Sequence, residues 1–222
     1  MIGMQIMIKS VYYQMKGISY FVWIPPIVLY ILLPAVHYMV YLKSNDMSEV
    51  YSNILKNAQY FIPLLSVWLI LFVLYHFVEQ SGCELLYVTE TIKMHYIILV
   101  SLLFDILMLP LFVGYTYFFP EYWWLYIKLC VINLMYASFA YVLTYVLQRI
   151  IPTILWLLFY SSIGLWGDSN GIGIISYYTF DLMVGRMLFD ELIPFMFTTI
   201  IAFFWGGIAN YRFSQKGLGQ KV

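Results

Sequence analysis

The chain is 222 residues long, 64% hydrophobic and 10% charged, with 11 basic residues balanced by 11 acidic ones. A soluble domain carries about 25% charged residues, so a water-soluble fold is excluded, and zero net charge gives no case for a nucleic-acid partner, which needs a basic patch. The two cysteines, Cys83 and Cys130, are too few and too far apart for a disulfide framework or a four-thiolate metal site.

The first seventeen residues set Ile2, Ile6, Met7, Val11, Tyr12 and Met15 among Gln5, Lys9, Gln14 and Lys16. That mixture predicts an interfacial helix lying along the membrane with its lysines toward the headgroups. No small-residue cleavage site follows an apolar core here, so no removable signal peptide is expected.

A hydrocarbon core about 30 Å thick needs about 20 apolar residues of helix. Six stretches meet or approach that length: 18–42, 59–78, 95–119, 122–147, 150–166 and 192–211. Their runs are continuous, as from Leu64 to Phe72, and lack the alternation of a membrane barrel. Backbone groups in lipid must bond internally, so these runs are helices. The expected fold is an all-α polytopic membrane protein, one transmembrane domain of six transmembrane helices.

Basic residues near span ends set the orientation. With the N-terminus inside, Lys9, Lys16, Lys93, Arg149, Arg212, Lys216 and Lys221 fall on the inner side, against Lys43, Lys56 and Arg186 outside. Both termini are therefore expected in the cytoplasm, in a multi-pass protein of the plasma membrane. Pro25, Pro26, Pro34, Pro63, Pro110 and Pro152 lie in or at the ends of spans and predict kinks. Tyr38, Tyr41, Tyr117, Tyr122, Trp123, Trp124 and Trp166 suit an interfacial aromatic belt. The stretch from Gly167 to Glu191 is too polar to span and too apolar for a free loop, so a surface or re-entrant helix at the outer mouth is expected before the last span.

No catalytic constellation assembles. The chain has no His-Glu-x-x-His motif and no Gly-x-Ser-x-Gly turn. Gly167-Asp168-Ser169 is superficially hydrolase-like, but all three histidines lie in the first half of the chain. His76 and Glu79 share a helix face, and a histidine bonded to a neighbouring carboxylate is expected there in place of a metal site. No cofactor is expected in this chain. A phosphate-binding Gly-x-x-x-x-Gly-Lys-Ser/Thr loop is absent, so any ATP hydrolysis belongs to another polypeptide.

Two charges lie inside spans, Asp105 and Lys128. Such groups are costly and face the protein interior or a water-filled cavity, usually paired. Asp105 is about 15 Å from the inner end of its helix and Lys128 about 9 Å from the outer end of the next. In a core of about 30 Å these depths differ by about 6 Å, within a lysine's snorkelling reach. A two-residue turn makes the helices antiparallel neighbours. An Asp105–Lys128 pair is therefore expected, with Asn133 as a further partner, serving either helix register or a substrate path.

The polar connection between the second and third spans contains Phe77-Val78-Glu79-Gln80-Ser81-Gly82-Cys83-Glu84-Leu85-Leu86, with Glu90 and Lys93 beyond it. A Glu ending the second span, a Gly three residues on, a Glu-Leu-Leu and a basic residue near the next span together resemble the membrane subunit of type-2 ATP-binding-cassette exporters. The interfacial N-terminus, the six spans and the outer segment extend that resemblance over nearly the whole chain. Where the family often has a proline and an arginine after the Leu-Leu pair, this sequence has Val88-Thr89-Glu90.

The resemblance implies that Glu79, Gly82, Glu84, Leu85, Leu86, Glu90 and Lys93 form a coupling helix seated in a separate ATPase subunit. It further implies a second membrane subunit, identical or homologous, and ATP and magnesium held by the ATPase. The cargo it implies is hydrophobic or amphipathic: an antimicrobial peptide, a lipid or a drug. Two other readings stay open: an integral membrane enzyme acting on lipid or peptide bonds, and a non-transporting immunity protein.

Overall fold

The computed structural model describes residues 19–79, 93–169 and 185–219. The expected interfacial helix, the residues Gly82 to Glu90 and the segment from 170 to 184 lie outside the described residues. The described chain is all helical. After one 3-10 turn (Ser19–Trp23) it forms α1 (Ile24–Ser44), α2 (Met47–Val78), α3 (Met94–Phe118), α4 (Tyr122–Leu147), α5 (Ile150–Ser169) and α6 (Arg186–Gly219). Five of these, all but α5, are long and apolar enough to cross a membrane. The described apolar stretch of α5, Ile150–Ile163, falls short of that length.

Short turns make α1 and α2, α3 and α4, and α4 and α5 sequential antiparallel neighbours. Asn45 and Gln148 each take a left-handed conformation at a helix end, with φ of 53° and 56°. Asn tolerates that geometry because its short side chain bonds locally. Asp46 then caps α2: Ser48 N and Ser48 Oγ donate to its two carboxylate oxygens at 2.8 Å each. These donors, the backbone amide first, hold the Asp46 carboxyl below its ordinary value of 3.8. The cap is therefore intact at neutral pH and is lost as pH falls below that value.

The helix bounds correct the expected spans at three places. α2 begins twelve residues before position 59, because Val50, Ile54, Leu55 and Ala58 make a buried face on its first turns. Its 32 residues extend about 48 Å, well beyond a 30 Å core. α1 begins at Ile24 because Pro25 and Pro26 fit the first turn, where amides lack helix partners anyway. α6 begins at Arg186, so the last residues assigned to an outer surface segment are the opening turns of a 34-residue helix.

Prolines mark α1 and α3 differently. Between Pro26 and Pro34, α1 widens into a π-turn over Val28–Leu32. Pro110 lies inside the continuous α3, and the Tyr30 hydroxyl donates to the Leu107 carbonyl in the turn that precedes it. A neighbouring helix thus supplies a hydrogen bond where proline weakens the ladder.

α4 is the spine. It packs against α6 above all, then α2, α3 and α5. Tyr122, Tyr136, Tyr141 and Tyr145 on α4 are all buried to 2% exposure or less. Lipid tails are as apolar as leucine, so helices associate here through close packing and polar contacts. Gly206 of α6 shows how close: a Cβ there would fall 2.3 Å from Cδ1 of the buried Tyr141 ring. Gly207, one residue on, has open space around it.

This pair gives a prediction. Gly206→Ala overpacks the α4–α6 seam and costs about 1–3 kcal/mol, read as a lower Tm of the detergent-purified chain. Gly207→Ala, which removes backbone freedom from a helix interior without a clash, leaves Tm equal or raises it.

Candidate functional site

We call the end of the bundle that holds the α1–α2 and α3–α4 turns the upper end, and the end that holds the α4–α5 turn the lower. A line of polar side chains runs down α4 between them. At the top, Lys128 is 1% exposed and its Nζ donates to Glu191 Oε1 of α6 at 2.7 Å. Near the middle, Asn133 Nδ2 donates to Asp105 Oδ1 of α3 at 2.9 Å, with Met108 Sδ at 3.8 Å. Tyr136 and Ser161 of α5 share a hydrogen bond of 2.7 Å, and Thr144 meets Thr153 at 3.3 Å farther down.

The expected Asp105–Lys128 pair is thus corrected. Lys128 reaches Glu191, while Asp105 is bonded to the neutral amide of Asn133. The physical reason is the early start of α6: its opening turns bring Glu191 onto α4 at the level of Lys128. A signal for this exists in the sequence. Leu188, Leu192 and Phe195 keep helical spacing, all three are buried, and that periodicity begins upstream of position 192. The expected partnership of Asn133 with Asp105 is present.

Magnitudes rank these contacts. An interhelical hydrogen bond inside a membrane protein averages about 0.6 kcal/mol, the scale of Asn133–Asp105. A lone lysine at the centre of a spanning helix costs about 2.5–3.5 kcal/mol on insertion scales. An aspartate carries the same cost, and of the two Lys128 meets an opposite charge while Asp105 meets a neutral amide.

Above this line sits an aromatic cluster. Tyr51 and Tyr122 stack at 5.0 Å, and the Tyr122 hydroxyl donates to the Tyr51 carbonyl at 2.6 Å. His37 Nδ1 and the Tyr115 hydroxyl lie 2.8 Å apart. The cluster joins α1, α2, α3 and α4 where the sequence predicts an aromatic belt, but Tyr122 is wholly buried instead of facing an interface.

At the lower end the two flanks of the α2–α3 connection are anchored. Glu79 closes α2, its amide donating to the Tyr75 carbonyl at 3.0 Å. Its side-chain Oε1 accepts from the Ile150 amide at 2.6 Å, so Glu79 also supplies an acceptor to the first turn of α5. The residues before Ile150 are Gln148 and Arg149, neither a capping type, and the orphan amides of a helix start need an acceptor from elsewhere. Lys93 is 3% exposed, its ammonium 5.3 Å from the Phe77 ring centre and 5.7 Å from that of Tyr96. It is packed against rings of α2 and α3. His76 Nδ1 bonds the Phe72 carbonyl at 2.9 Å, one turn back, in place of the expected carboxylate. Of the other residues assigned to coupling, Gly82, Glu84, Leu85, Leu86 and Glu90 lie outside the described residues.

The ion pair gives the second prediction. Lys128→Met strips the half-buried Glu191 carboxylate of its ammonium and Glu191→Leu strips the buried Lys128 of this carboxylate, each at a cost of up to about 3–5 kcal/mol. The double variant recovers most of that loss, because two apolar groups replace a matched pair. Thermal unfolding of the three variants in one detergent reads the coupling.

The long apolar helices make this a multi-pass membrane protein, all helical over its described residues. The chain matches no protein-family model, no curated protein and no solved structure.

Proposed function

We propose that the chain is the membrane-spanning permease subunit of an ATP-driven exporter of the type-2 ATP-binding-cassette kind. A separate ATPase subunit binds ATP and magnesium and docks on the connection between α2 and α3. A second membrane subunit, identical or homologous, completes the path with α5 as a sixth membrane helix, and both termini lie in the cytoplasm. The cargo is hydrophobic or amphipathic.

The observation that carries this reading is the double role of Glu79. A coupling segment transmits force only if its ends are fixed to the spans that must move. Glu79 ends α2 and bonds the first amide of α5, while Lys93 at the other flank is wedged against rings of α2 and α3. A push on the segment between them reaches three helices at once, and α5 passes it to α4 through Thr153 and Ser161. Between the anchors, Leu85 and Leu86 supply apolar anchors for a groove on the ATPase, and Glu84 and Glu90 supply charges for a basic rim.

Coexpression with any ATP-binding-cassette ATPase found encoded beside this chain tests the proposal. The native chain copurifies with it, and changing Leu85 and Leu86 together to Asp abolishes copurification. Glu79→Ala keeps the complex but lowers substrate-stimulated ATP hydrolysis, because the tie to α5 is cut. Failure of the native chain to bind any such ATPase overturns the reading.

A further inference from the structure

At the lower end, α4 and α6 leave an open groove of about 480 Å³. Val142, Tyr145 and Val146 line it from α4, at helical spacings of three and four. Trp205, Ile208 and Arg212 line it from α6, also three and four apart. Higher up, Gly206 brings the two helices into contact at Tyr141. The Tyr145 ring meets the Phe213 ring edge to face at 5.6 Å, so one wall of the groove is held rigid.

The walls are apolar and the polar groups sit at one place. Arg212 and Gln148 lie at the rim, where α4 ends, and both are exposed. Arg149 follows at the same level and is also exposed. Among the described residues neither arginine has an ion pair or hydrogen bond through its guanidinium. Trp205 lies seven residues above Arg212, about 10 Å along the helix axis, and is 57% exposed to the groove side and beyond. A cation at the lower mouth of an apolar, aromatic slot of that length matches an amphiphile with an anionic head and a hydrocarbon tail.

We propose that this groove binds an anionic phospholipid, its acyl chain lying against Tyr145, Trp205 and Ile208 and its phosphate held by Arg212. The guanidinium fork meets phosphate oxygens with two parallel N–H donors, and Gln148 adds a neutral donor beside it. A zwitterionic lipid offers the same chain and phosphate, but its ammonium is repelled by Arg212 and Arg149. The site is independent of the α2–α3 connection, so it stands or falls apart from the exporter reading.

The test uses the full purified chain, delipidated in detergent and titrated with phosphatidylglycerol or phosphatidylcholine of the same acyl chains under native mass spectrometry. The expected result is about tenfold tighter binding of phosphatidylglycerol, the effect of one charge-assisted contact. In Arg212→Gln, an exposed substitution that leaves the core intact, that preference disappears. A second readout locates the tail: phosphatidylglycerol brominated at mid-chain quenches the fluorescence difference between the native chain and Trp205→Phe. Equal binding of the two lipids, an unchanged preference in Arg212→Gln, or no quenching of the Trp205 contribution overturns the proposal.

Discussion

A lysine ammonium 1% exposed within a spanning helix is the constraint on which the packing turns. Lys128 has to meet a carboxylate, and Glu191 meets it only if α6 begins early and lies along α4. Once that contact is made, α6 continues down the same face through Leu192 and Phe195 to Gly206, where only a hydrogen fits against Tyr141. The ion pair fixes register at the top and the glycine fixes distance lower down. Together they make α4 the element that four other helices share.

The polar contacts along α4 grow weaker in charge from top to bottom: an ion pair, a carboxylate with an amide, then hydroxyl pairs. In a low-dielectric interior each such group has to be satisfied or its burial costs free energy. The upper half is accordingly tied by charge and stacked tyrosines, and the lower half by hydroxyls and the Glu79 tie to α5. Hydroxyl pairs exchange partners at less cost than a buried ion pair. A movement that starts at the α2–α3 connection therefore meets its softest resistance in α5 and the lower part of α4.

Helix existence was legible because it is written in hydropathy, and α4 matches its expected bounds from Tyr122 to Leu147. Bounds failed where burial by protein, not lipid, decided them. The first turns of α2 carry Glu49, Lys56 and Asn57, so a hydropathy reading stops at Gln59, yet Val50, Ile54 and Leu55 bury one face against neighbours. The Asp105–Lys128 expectation failed for a related reason. Depth and adjacency along the chain were readable for α3 and α4, but the placement of α6 against α4 is a tertiary fact that sequential neighbours do not encode. Asn133 was readable as a partner of Asp105 because both lie near the middle of adjacent antiparallel helices. Lys93 was readable as basic and near a helix start, but its burial between aromatic rings follows from packing alone.

The proposed coupling requires the α2–α3 connection to lie on the cytoplasmic side, where an ATPase can reach it. The chain's own Cys83 sits in that connection, and Cys130, the other cysteine, is placed within α4. Labelling with a membrane-impermeant maleimide, in intact cells and in opened membranes, compares the native chain with Cys83→Ser. The account predicts labelling of Cys83 only after the membrane is opened. Labelling of Cys83 from outside intact cells would place the connection on the wrong face and contradict it.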